Sequence, residues 1–70
     1  MRIVGWRKLN KQGWWIHDKT RAEVYIEVNT KDYHIQLRKD GRVRRLLGIE
    51  KTLQSAHKKA VQIMRGSPNG

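Results

Sequence analysis

"AEVYIEVNTKDYHIQLRKDGRVRRLLG", residues 22–48, is the stretch whose reading decides the fold of this chain. Ala22, Val24, Ile26 and Val28 fall at every second position, with Glu23, Tyr25, Glu27 and Asn29 between them. Side chains of a strand alternate between its two faces, so this period predicts a half-buried strand. "NTKD" at 29–32 has turn chemistry. Tyr33, Ile35 and Leu37 then alternate with His34, Gln36 and Arg38, which predicts a second strand. Lys39-Asp40-Gly41 reads as a three-residue hairpin loop with Gly in the left-handed position. That loop pairs Arg38 with Arg42 and Leu37 with Val43. A third strand over 42–47 then carries Val43 and Leu47 on the apolar side. A two-residue Asp40-Gly41 loop would set Arg44 beside Leu37 and bury charge, so the register argument disfavours it.

A helix follows. Thr52 suits an N-cap after the break at Gly48, and Gly66 followed by Pro68 suits a stop. Between them Leu53, Ala56, Ala60, Ile63 and Met64 recur at helical spacing, with Lys58, Lys59, Gln62 and Arg65 on the other side. Leu53, Ala56, Ala60 and Ile63 are expected to pack on the sheet. Upstream, "RIVGWRKLN" and "GWWIHDK" read as two further strands joined through "NKQG". Their phase stays open, because Trp14, Trp15 and Ile16 are adjacent. The expected architecture is α+β. It is an antiparallel meander sheet of four or five strands with one C-terminal helix packed on one face. Residues 1–65 form one basic sheet-plus-helix domain, and "GSPNG" at 66–70 reads as a disordered tail.

Composition limits what such a domain does. The chain has 70 residues, enough for one small core. It has no cysteine, which excludes disulfides and thiolate zinc sites. No apolar run approaches the length of a membrane span or a secretory leader, so an intracellular protein of cytoplasm or nucleoid is expected. Sixteen Lys and Arg against six Asp and Glu give a formal net charge of +10. A field of that sign draws in polyanions, and nucleic acid is the commonest.

The charge gathers on one part of the pattern. Arg38, Lys39, Arg42 and Arg44 surround the Asp-Gly turn. Under the expected register the uncovered face carries the rows Glu23–Arg38–Arg42, Tyr25–Gln36–Arg44 and Glu27–His34–Leu46. Opposed like charges such as Arg38 and Arg42 destabilise a bare sheet, and an anionic partner relieves that cost. Arg, Gln, Tyr and His also contact phosphates and base edges. The candidate nucleic-acid-binding set is therefore Arg38, Lys39, Arg42, Arg44, Gln36, Tyr25 and His34. Trp15 joins it, because one of the adjacent Trp14 and Trp15 must face outward, where it can stack on a base. The competing reading is a solvated face in which Glu23 neutralises Arg38 and Glu27 pairs with His34. Arg44 is singled out as a rigid mid-strand contact, flanked by Gln36.

Enzymatic chemistry finds little support. His34, Glu27 and Arg44 are the residues a small ribonuclease would need, but no distinctive spacing joins them. His17, His34 and His57 lack the metal-binding spacings, and His57 reads as a partly buried packing residue. The pattern implies a non-catalytic protein without metal or cofactor.

"LLGIEKTLQSAHKKAVQIMRG", residues 46–66, resembles the end of the plant ethylene-response-factor DNA-binding domain. It is also similar to the arm-binding domains at the N-termini of phage-type integrases. In both, a three-stranded sheet runs through "LG" into a Thr-capped, Ala-rich helix. The resemblance covers roughly residues 22–66. It implies that the open sheet face enters the DNA major groove, with Arg38, Arg42 and Arg44 as readers. The plant domains carry more Arg and Trp on the first strand, where this chain has Glu23 and Glu27. The extra N-terminal hairpin instead looks like the single-strand-binding transcriptional coactivators, a likeness of layout. DNA is expected over RNA as the partner. An interaction module in a nucleoprotein assembly and a single-strand binder are the alternatives.

Overall fold

The alternating apolar positions of the middle strands give the sheet one buried side. The computed structural model describes residues 3–70. Five strands are β1 (Trp6–Asn10), β2 (Trp14–His17), β3 (Glu23–Val28), β4 (Tyr33–Lys39) and β5 (Arg42–Glu50). They form one antiparallel sheet in sequence order, so every connection is a hairpin. One helix, α1 (Leu53–Arg65), follows and packs on β3, β4 and β5. The expected α+β meander with a C-terminal helix is the architecture observed.

The seam between helix and sheet is built from small and branched side chains. Val24, Ile26 and Ile35 meet Ala56, Ala60 and Met64, all of them buried. The two alanines let the helix axis come close to the strands, and Met64 fills the remaining gap. Ile63 packs at the margin, whereas Leu53, expected in the core, is exposed at the start of the helix. Trp6 and Trp15 extend the same core under β1 and β2.

The helix ends follow the sequence. The Ser55 N–H donates to Thr52 Oγ1 at 3.1 Å, which satisfies one of the free donors of the first turn. The Gly66 N–H donates to the Gln62 carbonyl at 3.1 Å and closes the last turn.

Three features depart from the sequence reading or go beyond it. The first is the β4–β5 hairpin. Lys39 pairs with Arg42, so the loop is the two-residue Asp40-Gly41 turn. Both of its residues are left-handed, with φ of 55° and 76°, the geometry that matches strand twist. The feared burial of Arg44 is avoided by register shifts. Arg38 faces Val43, Leu37 faces Arg45, Gln36 faces Leu46 and Ile35 faces Gly48. Arg44 and Leu47 are thus the extra residues of two bulges, and each bulge breaks the period of two. Val43, expected against the core, lies opposite Arg38 and is exposed, while Leu47 does pack inward. β5 also runs on to Glu50, past the expected end at residue 47.

The second is the tail, whose Ser67 and Pro68 lie against β1 and β2. Trp6 Nε1–H donates to the Ser67 carbonyl at 2.9 Å, and His17 Nε2 bonds the Pro68 carbonyl at 2.8 Å. His17 is buried, and its Nδ1 accepts the backbone N–H groups of Lys19 and Thr20 at 3.1 and 3.2 Å. Nδ1 therefore holds a lone pair and Nε2 holds the hydrogen that Pro68 receives. Gly5, at φ 82°, makes room: a Cβ there would lie 2.5 Å from the Pro68 carbonyl oxygen. The third is the phase of β2, which the sequence leaves open. Trp15 pairs with Val24 on the helix side, while Trp14 pairs with Tyr25 on the open side.

Two stability predictions follow from these contacts. Thr52→Ala should lower unfolding free energy by about 1 kcal/mol through the lost cap, read by urea denaturation. An unchanged midpoint would place the helix start elsewhere. His17→Ala should cost about 1–3 kcal/mol, because three backbone groups lose their partner. Removing residues 67–70 should reproduce much of that loss, and a truncated chain as stable as the full one would mean the tail adds nothing.

Candidate nucleic-acid interface

The helix covers one face, so the other face of the sheet is open. Cross-strand partners place three rows on it. One runs Arg7–Ile16–Glu23–Arg38–Val43, a second Asn10–Trp14–Tyr25–Gln36–Leu46, and a third Glu27–His34–Ile49. The β3–β4 part of each row is the one expected from sequence: Glu23 with Arg38, Tyr25 with Gln36, Glu27 with His34. The β5 part is not. The rows end in Val43, Leu46 and Ile49, at 54%, 48% and 50% exposure, in place of Arg42, Arg44 and Leu46.

The centre of this face is an aromatic pair clasping one guanidinium. The Trp14 and Tyr25 rings meet edge to face at 5.8 Å. The Arg38 guanidinium carbon lies 5.3 Å from the Tyr25 centroid and 5.9 Å from that of Trp14. Both ring faces attract the cation. Glu23, directly across from Arg38, does not neutralise it. Its carboxylate accepts a hydrogen bond from Trp14 Nε1 instead. Among the described residues Arg38 has no ion pair, and its Nε is buried without a hydrogen-bond partner. A buried donor left unpaired is costly.

The second expected neutralisation is also absent. His34 Nε2 lies 3.0 Å from Asp32, in the turn that precedes β4, although Glu27 is its cross-strand neighbour. The sheet face is therefore less self-compensated than its composition allows.

The remaining candidates divide by location. Lys39 and Arg42 face each other beside the turn and are exposed. Arg44 is not a mid-strand residue opposite Gln36. It sits at the bulge next to the turn and pairs with Asp40 at 3.7 Å, with both side chains largely exposed. Gln36 and Tyr25 are half-buried next to each other in the central row. Trp15 is removed from the surface altogether. It is 3% exposed on the helix side, with the Lys8 ammonium 5.4 Å from its ring centroid and the His57 ring edge-on at 5.4 Å. Trp14 takes the place expected of Trp15. Sequence reasoning missed Trp14 because three adjacent apolar residues give no phase. The partner strand holds the signal, since Trp14 falls opposite Tyr25 when Val24 must face in.

The chain matches no protein-family model, no curated protein and no solved structure.

Trp14 should carry the solvent-reachable part of the tryptophan emission. Trp14→Phe is expected to remove most of the quenching by acrylamide, whereas Trp15→Phe should leave quenching and lower stability. The reverse result would exchange the faces of the two rings.

Proposed function

We propose that the protein binds nucleic acid, DNA in preference to RNA, with the open face of its sheet and the basic β4–β5 hairpin, and that it is not an enzyme. The observation that carries this reading is Arg38, whose guanidinium lies over the rings of Trp14 and Tyr25 with no carboxylate paired to it among the described residues. A guanidinium held by two rings loses little freedom on binding and can present its fork to a phosphate or to a guanine edge. Gln36, one residue-pair further along the strand, adds a side chain suited to adenine. Lys39, Arg42 and Arg44 at the turn are flexible and exposed, as phosphate contacts are. The exposed methyls of Val43 and Leu46 suit thymine methyl groups. A two-stranded ribbon fits the width of a B-DNA major groove, and β4 with β5 makes such a ribbon. The resemblance to the plant and integrase sheet-plus-helix domains points the same way.

Two observations weigh against the ribonuclease alternative. His34 is engaged with Asp32, and Arg44 is paired with Asp40 at the opposite end of β4. The three residues that such chemistry would need do not converge.

One observation favours a second reading. Val43, Leu46 and Ile49 form an apolar row on an edge strand, a surface that suits a protein neighbour in a nucleoprotein assembly.

Titration with duplex DNA, single-stranded DNA and RNA over a range of salt tests the proposal. Affinity for duplex should fall with salt, at about 0.9 in log–log slope per phosphate contact. Lys39→Ala should weaken all sequences alike and lower that slope by about one. Arg38→Ala should cost about 1–3 kcal/mol and flatten differences between sequences. Absence of binding at low salt would end this reading. Binding indifferent to Arg38→Ala and to Arg42→Ala/Arg44→Ala would move the interface off this face.

A further inference from the structure

The helix covers β3, β4 and β5, so its flank overhangs the helix-side surface of β1 and β2 without filling the space. The result is a groove of about 860 Å³ on the side of the molecule away from the open sheet face. Its walls are cationic on both sides, with Lys8 and Lys11 from the N-terminal hairpin and Lys58 from the helix. None of its lining side chains is acidic, among the described residues. Leu53 and Val61 supply aliphatic surface, and Leu53 is 37% exposed. Gln54 and Gln62 present amides along the same helix flank.

We propose that this groove docks an extended acidic and apolar segment of a partner protein. Carboxylates of such a segment meet lysines on both walls, its aliphatic side chains cover Leu53 and Val61, and its backbone meets the two glutamine amides. β1 is at the edge of the sheet, and beyond Trp6, which Ile3 bridges, an extended segment can also pair with the backbone edge that β1 presents among the described residues. The groove's aromatic content argues against a nucleic-acid strand as the occupant. Single-strand sites need ring faces on which bases stack. Trp15, the groove's tryptophan, is 3% exposed and already flanked by Lys8 and His57. The His57 Nε2–H is committed to the Gln12 carbonyl at 2.6 Å, which holds that ring in place. Because the groove and the open face lie on opposite sides of the sheet, a protein segment and a nucleic acid can be bound together.

The test is an NMR titration of the ¹⁵N-labelled full chain. The probe is a short synthetic peptide alternating Glu with Val and Leu, and the controls are the same peptide with Lys for Glu and an oligothymidylate. The acidic peptide should shift the amides of Lys8, Lys11, Leu53, Lys58 and Val61 and leave Arg38 and Gln36 unmoved. Lys58→Glu and, separately, Lys11→Glu should each weaken it by about tenfold, the size expected for a reversed charge in a half-enclosed site. The Lys-containing control should not bind. Shifts confined to the open face would overturn the proposal. So would oligothymidylate occupying the groove in preference to the peptide, or folded Lys58→Glu and Lys11→Glu chains that bind the peptide as well as the parent.

Discussion

The contact on which the structure depends is the seam where Ala56, Ala60 and Met64 lie on Val24, Ile26 and Ile35. A chain of 70 residues has one helix with which to bury a five-stranded sheet. A helix is about 10 Å across, and strands lie about 4.8 Å apart, so one helix shields two or three strands. Placing it over β3, β4 and β5 fixes everything else. The whole reverse face is left to water or a partner, and β1 with β2 must find cover elsewhere. Trp6, Trp15 and the docked tail provide part of that cover, and the groove is the part that remains.

What could be read from the sequence was local or strictly periodic. The alternation over residues 22–28 and 33–37 fixes which side of β3 and β4 faces in, and the turn between them fixes their register. Thr52 and Gly66 mark the helix because capping is a matter of a few adjacent atoms. What could not be read depended on events that break a period. Two extra residues in β5 shift its pairing twice, so Val43, Leu46 and Ile49 come to share a face at a spacing of three. The two-residue turn forms because Asp40-Gly41 takes up the left-handed pair of angles that matches strand twist, and the bulges in β5 keep Arg44 exposed. The docking of Ser67 and Pro68 has no signature in residue type. Its anchors are the carbonyls of Ser67 and Pro68, and backbone carbonyls leave no mark in a sequence.

The same bulges decide which cations are positioned. An unbroken ladder would have set Arg44 in the middle of the open face. The observed ladder moves it to the turn, where Asp40 holds it loosely in solvent. Arg38 is left as the cation with a fixed geometry, because β4 is paired on both sides and its neighbours Trp14 and Tyr25 supply two rings. Glu23, which composition suggests as its counter-ion, is occupied by the Trp14 indole. One hydrogen bond thus orients the ring and takes the nearby carboxylate away from the guanidinium.

Charge distribution links the two surfaces. Among the described residues the ion pairs join Arg7 to Asp18, His34 to Asp32 and Arg44 to Asp40. Each lies at or beside a turn, and each uses an aspartate from that turn. The three aspartates are therefore spent at the hairpin ends, and the acids left on the open face are Glu23, held by the Trp14 indole, and Glu27. With a net charge of +10, self-repulsion raises the energy of the free folded chain, and it is relieved wherever an anion binds. If both surfaces bind anions as proposed, relief of repulsion at one would lower the pull at the other, and that coupling would fade as salt screens distances beyond about 10 Å.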